Sequence, residues 1–141
     1  MKKEELILSV LSIGDKLKYT PVQIQKLFFL IDKRIGESIG GPYFEFKPYH
    51  YGPFDKSLYQ ILDDLQDKGL VEINNIGGLK KYSLTEEGYE AGESLHEKFK
   101  EKEAAFIEKL SDYVTGVSFS ELVSSIYKEY PEMKANSIFT D

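Results

Sequence analysis

The chain is 141 residues long, 41% hydrophobic and 30% charged, the balance of one soluble globular domain rather than a disordered tail. Its 18 Lys+Arg against 24 Asp+Glu leave a net charge of −6, and an acidic chain is repelled by phosphate backbones, which argues against non-specific nucleic-acid binding. The absence of cysteine excludes disulfides, thiolate metal sites and cysteine nucleophiles, and two histidines, His50 and His96, are too few for a histidine-rich metal centre.

Leu6, Ile7, Val10 and Leu11 fall on one face of a short first helix that Gly14 and Asp15 end. Thr20-Pro21-Val22-Gln23 combines a Thr cap, Pro at the first helical position and Gln three residues after the cap. The helix it opens carries Ile24, Leu27, Phe28, Ile31 and Ile35, with Phe29 and Leu30 widening the stripe, so burial over most of its circumference is expected. Its Leu27-Phe28-Phe29-Leu30-Ile31 is the longest apolar run, far short of the ~20 residues of a membrane span. The acidic start Met1-Lys2-Lys3-Glu4-Glu5 lacks an apolar signal region, so the expected location is the cytoplasm, with no membrane partner.

Residues 36–42 hold three glycines and a proline and read as a loop. Tyr43-Phe44-Glu45-Phe46-Lys47 alternates in part and predicts a short strand, limited to an edge by Pro48. Tyr49-His50-Tyr51-Gly52-Pro53-Phe54 reads as an aromatic turn, after which Asp55 caps a third helix with Leu58, Ile61, Leu62 and Leu65 inward and Gly69 as its stop. Val71-Glu72-Ile73 and Tyr82-Ser83-Leu84 are alternating strands, joined through a Gly77-Gly78 hairpin turn. Thr85, followed by Glu86 and Glu87, opens a long helix expected to reach Leu110, with Leu95, Phe99, Phe106 and Leu110 on its apolar side. Ser118-Phe119-Ser120-Glu121 is a capping box for a last helix through Leu122, Val123, Ile126 and Tyr127, terminated by Pro131.

Three helices followed by a hairpin is the winged-helix order. The expected fold is therefore a single α+β, mostly helical domain over residues 1–141: a modified winged helix (1–84), whose helix-turn-helix carries an insertion of roughly twenty residues before a β-hairpin wing, plus two C-terminal helices (85–141). The charge divides along the same line. Residues 1–81 hold 12 Lys+Arg and 11 Asp+Glu, whereas 82–141 hold 6 and 13, so the acidity belongs to the C-terminal part.

Gln25-Lys26-Leu27-Phe28-Phe29-Leu30, then Tyr49-His50-Tyr51-Gly52-Pro53-Phe54 and Leu58-Tyr59, resemble in order and spacing the Panacea domain of SocA-type antitoxins and the YwgA-like prokaryotic proteins. Tyr82-Ser83-Leu84-Thr85-Glu86-Glu87-Gly88 resembles the hairpin exit of many winged-helix proteins, and Tyr127-Lys128-Glu129-Tyr130-Pro131-Glu132 with Asn136-Ser137 is similar to the YwgA-like set. The resemblance implies a prokaryotic or phage binding module without enzymatic activity. For the Panacea branch it implies an antitoxin that neutralises a separately encoded toxin by binding it.

The aromatic turn carries two compatible readings. Its rings can plug the core beside the second helix, and an exposed side can recognise a partner, since Tyr and His join apolar area to a polar handle. Tyr49, His50, Tyr51, Phe54 and Tyr59 are thus the candidate contacts for a protein partner, such as a cognate toxin. No nucleophile–base set adjoins His50, and His96, among Glu93, Glu97 and Lys98, reads as solvated; no catalytic residue, metal ligand or cofactor is assigned. Possible DNA contacts are Lys56 and Gln60 on the third helix and Lys80 and Lys81 on the wing. Asp55, Asp63, Asp64 and Asp67 outweigh Lys56 and Lys68 on that helix, which disfavours a groove lined by phosphates. The sparse stripe of the long helix is either a solvated face or one completed by a partner or by a second copy in a homodimer.

Overall fold

In the computed structural model, which describes residues 1–140, the first helix α1 (Lys3–Ile13) buries Leu6 through Ser12, and the Gly14 N–H closes it on the Val10 carbonyl. The next helix, α2 (Pro21–Ile35), begins at the cap that its sequence predicts. Gln23 N donates to Thr20 Oγ1 at 3.2 Å while Thr20 N donates to Gln23 Oε1 at 2.8 Å, a reciprocal pair with Pro21 at the first position. Eight successive α2 residues, Ile24 to Ile31, are buried, so the helix is the axle of the core.

A 20-residue excursion separates α2 from α3 (Lys56–Asp67). The strand expected over 43–47 forms later, as β1 (Lys47–Tyr49) paired with β2 (Gly52–Phe54), so the aromatic turn is itself a hairpin with only His50 and Tyr51 at its tip. Residues 43–46 form no ladder, and two of their N–H groups go to one side chain. Tyr43 N and Phe44 N donate to the two carboxylate oxygens of Asp32 on α2, at 2.9 and 2.8 Å. Pro48 lies inside β1, opposite Pro53, in a two-stranded sheet that has only edges.

Asp55 caps α3 by accepting from Ser57 N, and Leu58, Leu62 and Leu65 turn inward. A second hairpin follows as β3 (Val71–Ile76) and β4 (Leu79–Leu84), antiparallel from Val71 opposite Leu84 to Ile76 opposite Leu79. Gly77 and Gly78, at φ of +58° and +84°, supply the left-handed pair that a two-residue hairpin turn requires. Tyr19, between α1 and α2, exchanges both backbone bonds with Tyr82 on β4 at 2.9 and 2.8 Å, adding a one-residue third strand.

The continuous helix expected from Glu86 to Leu110 does not form. The chain makes α4 (Glu86–Glu93), a single 3-10 turn over His96–Lys98, and then α5 (Glu101–Gly116), with α6 (Phe119–Glu129) as the last α-helix, so three α-helices follow β4 instead of two. At the break Gly92 packs closely against α1, and Lys100 N restarts a helix by donating to Glu103 Oε1 at 2.7 Å. Reversal there lets α4 pack on α1 while α5 packs on α2. Phe99 and Leu110 are buried in the chain's own core, with Leu95 and Phe106 against it, so the apolar stripe offered above to a second copy is used internally. His96 is half-buried, not solvated: its Nε2 and the buried Ser12 Oγ are 2.6 Å apart, tying the 3-10 turn to α1.

Six helices and two small antiparallel sheets thus make an α+β, mostly helical structure, and its buried apolar residues from Leu6 to Met133 form one cluster. Among the described residues no helix is long and apolar enough to cross a membrane. The α1–α4 contact leaves no room for a side chain at Gly92, where a Cβ would lie 2.3 Å from the Leu8 carbonyl oxygen. Gly92→Ala is expected to lose about 1–3 kcal/mol by overpacking, read as a lower urea midpoint at unchanged slope.

Candidate functional site: an aromatic hairpin over a buried lysine

Two neighbouring polar side chains on the buried face of α2 position the β1–β2 hairpin. The Gln25 amide holds both backbone groups of one residue: Asp55 N donates to Gln25 Oε1 and Gln25 Nε2 donates to the Asp55 carbonyl, each at 2.9 Å. Lys26 Nζ donates to the Pro53 carbonyl at 3.4 Å. Asp55 in turn accepts from Glu45 N at 2.8 Å and from both Ser57 N and Ser57 Oγ. Burial pushes its carboxyl upward, but the Ser57 and Glu45 hydrogen bonds outweigh that and hold it below the usual range. The Asp32 carboxyl goes the other way: burial raises it, against the bonds from Tyr43 and Phe44.

The opposite side of the hairpin is held by the C-terminal segment. Asn136 Nδ2 donates to the Pro48 carbonyl at 3.2 Å, and Ile138 N and Ser137 Oγ donate to the His50 carbonyl at 3.0 and 3.3 Å. Ser137 is itself fixed by the Tyr127 hydroxyl at 2.7 Å. Residues from α2, the β1–β2 hairpin, α6 and the segment 136–138 therefore meet at one place.

The rings run in two connected branches. Tyr49 stacks on His50 (4.2 Å between centroids) and on Phe54 (4.9 Å); Phe54 meets Tyr59 edge-on, and Tyr59 stacks on Tyr82. Tyr51 turns the other way onto Phe119, which continues to Phe139. All five candidate contact residues are thus brought together, some packed inward and some exposed. Phe54 and Tyr59 are half-buried, whereas His50 is exposed and Tyr49 and Tyr51 are 47% and 39% exposed. Phe119 at 46% and Ile138 at 60% extend the same exposed apolar face.

Lys26 is the residue that sequence reading missed. It is 3% exposed, and burial alone lowers its ammonium pKa to about 7. Among the described residues no ion pair involves it. The signal was present, because a lysine between Ile24 and Leu27 interrupts the apolar stretch of a helix expected to be buried nearly all round. Phe119, Ser137, Ile138 and Phe139 left no such signal.

Of the four possible DNA contacts, Lys56 and Gln60 are exposed on α3 alongside the exposed Asp63, Asp64 and Asp67, and Lys80 is exposed on β4 with Lys81 half-buried. Lys56 lines a groove with Lys3, Lys47, Tyr49 and Phe54. No family model, curated protein or solved structure matches the chain. Among the described residues no group of three or more His, Asp or Glu side chains could hold a metal ion.

Two outcomes test this arrangement. Gln25→Ala strands the partly buried backbone groups of Asp55 and is expected to cost about 1–3 kcal/mol in urea unfolding. Lys26 gives a pH dependence. Between about pH 7 and 10.4 the unfolded chain keeps a proton on this lysine that the folded chain has released, so stability rises with pH, by at most about 1.4 kcal/mol per unit. Urea midpoints at pH 6.5 and 9 should show that rise in the native chain and lose most of it in Lys26→Met. Tyr19 and Tyr82, pushed up to about 12 by burial, stay protonated throughout this range.

Proposed function

We propose that this chain is a non-enzymatic binding module of the SocA/Panacea or YwgA type, a cytoplasmic antitoxin or phage-defence accessory. In this reading it grips a protein partner with Tyr49, His50, Tyr51, Phe54 and Tyr59. The observation that carries it is the exposure of Tyr49 and Tyr51, beside Phe119 and Ile138, on a hairpin fixed from both sides. Large rings held in place before binding lose little entropy on contact, and Tyr at the centre of a contact is where binding energy concentrates. Winged-helix character is supported by the element order and by the Tyr19–Tyr82 bridge, which puts a short strand before α2 beside the wing.

That same architecture favours a second reading, a DNA-binding regulator using Lys56, Gln60, Lys80 and Lys81. The acids on α3 weigh against it, since each would face phosphate. The two readings part on one pair of variants. Capture of the product of an adjoining gene from the native host is expected to fall at least tenfold with Tyr49→Ala/Tyr51→Ala and to survive Lys80→Glu/Lys81→Glu. If instead micromolar protein retards duplex DNA at low salt and the lysine variant abolishes this, the protein-binding reading fails.

A further inference from the structure

We propose that the pocket between α2, the β1–β2 hairpin and α3 is a carboxylate subsite. One carboxylate on a short apolar stem enters among Tyr49, Tyr51 and Tyr59 and takes Lys26 as its counter-ion. The pocket has a volume of about 180 Å³ and is lined by Val22, Gln25, Lys26, Phe54 and these three tyrosines, with Gly52 and Pro53. Pockets for drug-sized ligands run roughly 300–1,000 Å³, so this one suits a group the size of a side chain.

The donor is in place and under-used. Among the described residues, the bond to the Pro53 carbonyl is the only hydrogen bond of the Lys26 amine, and at 3.4 Å it is a long one. An amine in either protonation state has further N–H groups to offer, and burial without acceptors is costly. Gly52 keeps the approach open: a Cβ there would lie 3.3 Å from Nζ and 3.4 Å from Tyr127 Cε1. Apolar walls strengthen attraction between opposite charges, because little water remains to screen them.

The missing charge is negative. Burial alone sets the pKa of Lys26, with no charged neighbour contributing. The titratable side chains that line the pocket with it or adjoin Gly52 are the hydroxyls of Tyr49 and Tyr51 on the hairpin, Tyr59 on α3 and Tyr127 on α6. A carboxylate would bind together with a proton taken up by Lys26, whereas a neutral group of the same shape would not. An Asp or Glu side chain of a partner and a free small carboxylate share this chemistry, and the inference does not require the partner proposed above.

The 141-residue chain, labelled uniformly with 15N and with 13C at lysine Cε, is titrated with butyrate and, in parallel, with n-butanol. Butyrate is expected to shift the Lys26, Tyr51 and Gly52 signals saturably and to raise the Lys26 titration midpoint by at least one unit. One unit is a tenfold preference for the protonated amine. Butanol should leave the midpoint where it is. N-acetylglutamate N-methylamide, if it binds at least threefold tighter than butyrate, assigns the site to a peptide side chain; the reverse order assigns it to a free carboxylate. A midpoint unmoved by butyrate, or moved equally by butanol, overturns the proposal. So does a Lys26→Met variant, folded by circular dichroism, that still shows the butyrate shifts at Tyr51 and Gly52. If that variant does not fold, the midpoint in the native chain decides alone.

Discussion

The pair of hydrogen bonds between the Gln25 amide and the backbone of Asp55 fixes where everything after α2 can go. A primary amide offers a donor and an acceptor side by side, and a single peptide position accepts both only in one orientation. Residue 55 is also the cap of α3 and, through its carboxylate, the anchor of Glu45 N. One side chain on the buried helix thereby sets the start of the third helix, the exit of the hairpin and the path of the segment before it. The clamp works beside two other anchors, the Asp32 carboxylate on Tyr43 and Phe44 and residues 136–138 on the hairpin.

Which parts of this were legible follows from which forces were local. The caps at Thr20, Asp55, Thr85 and Ser118 are each made within three residues, and the side chains bond as the sequence pattern predicts. The Gly77-Gly78 turn is local for the same reason. The strand expected at residues 43–47 is not, because Asp32, eleven residues upstream, takes the backbone donors of Tyr43 and Phe44. The broken long helix is of the same kind. Its charged, strongly helix-forming residues carry no stop signal beyond Gly92, and at the reversal Gly92 packs closely against α1. The candidate contacts were found by their aromatic density, while Lys26 was hidden by lying inside a helix read only for its apolar stripe.

Lys26 also reverses the usual relation between burial and stability. A methionine of similar length would fill the same space without shedding hydration from an amine, so on packing grounds alone the lysine is the poorer residue. Its single long bond to Pro53 does not offset that loss, and the groups that face it are tyrosine rings and backbone, not carboxylates. A residue that breaks the local rule without an internal gain is where a fold and its use part company.

The two prolines opposite each other in the hairpin, Pro48 and Pro53, have a consequence for how anything can approach this face. A small exposed sheet is ordinarily a template onto which another chain can zip by main-chain bonding. Here neither proline has an N–H to give, and their carbonyls already accept from Asn136 on one side and Lys26 on the other. The His50 carbonyl at the tip is taken by Ile138 N. The hairpin therefore presents rings while its backbone is closed to addition. Whatever it meets must be read through side chains, and the face can remain exposed without inviting copies of the chain to stack edge to edge.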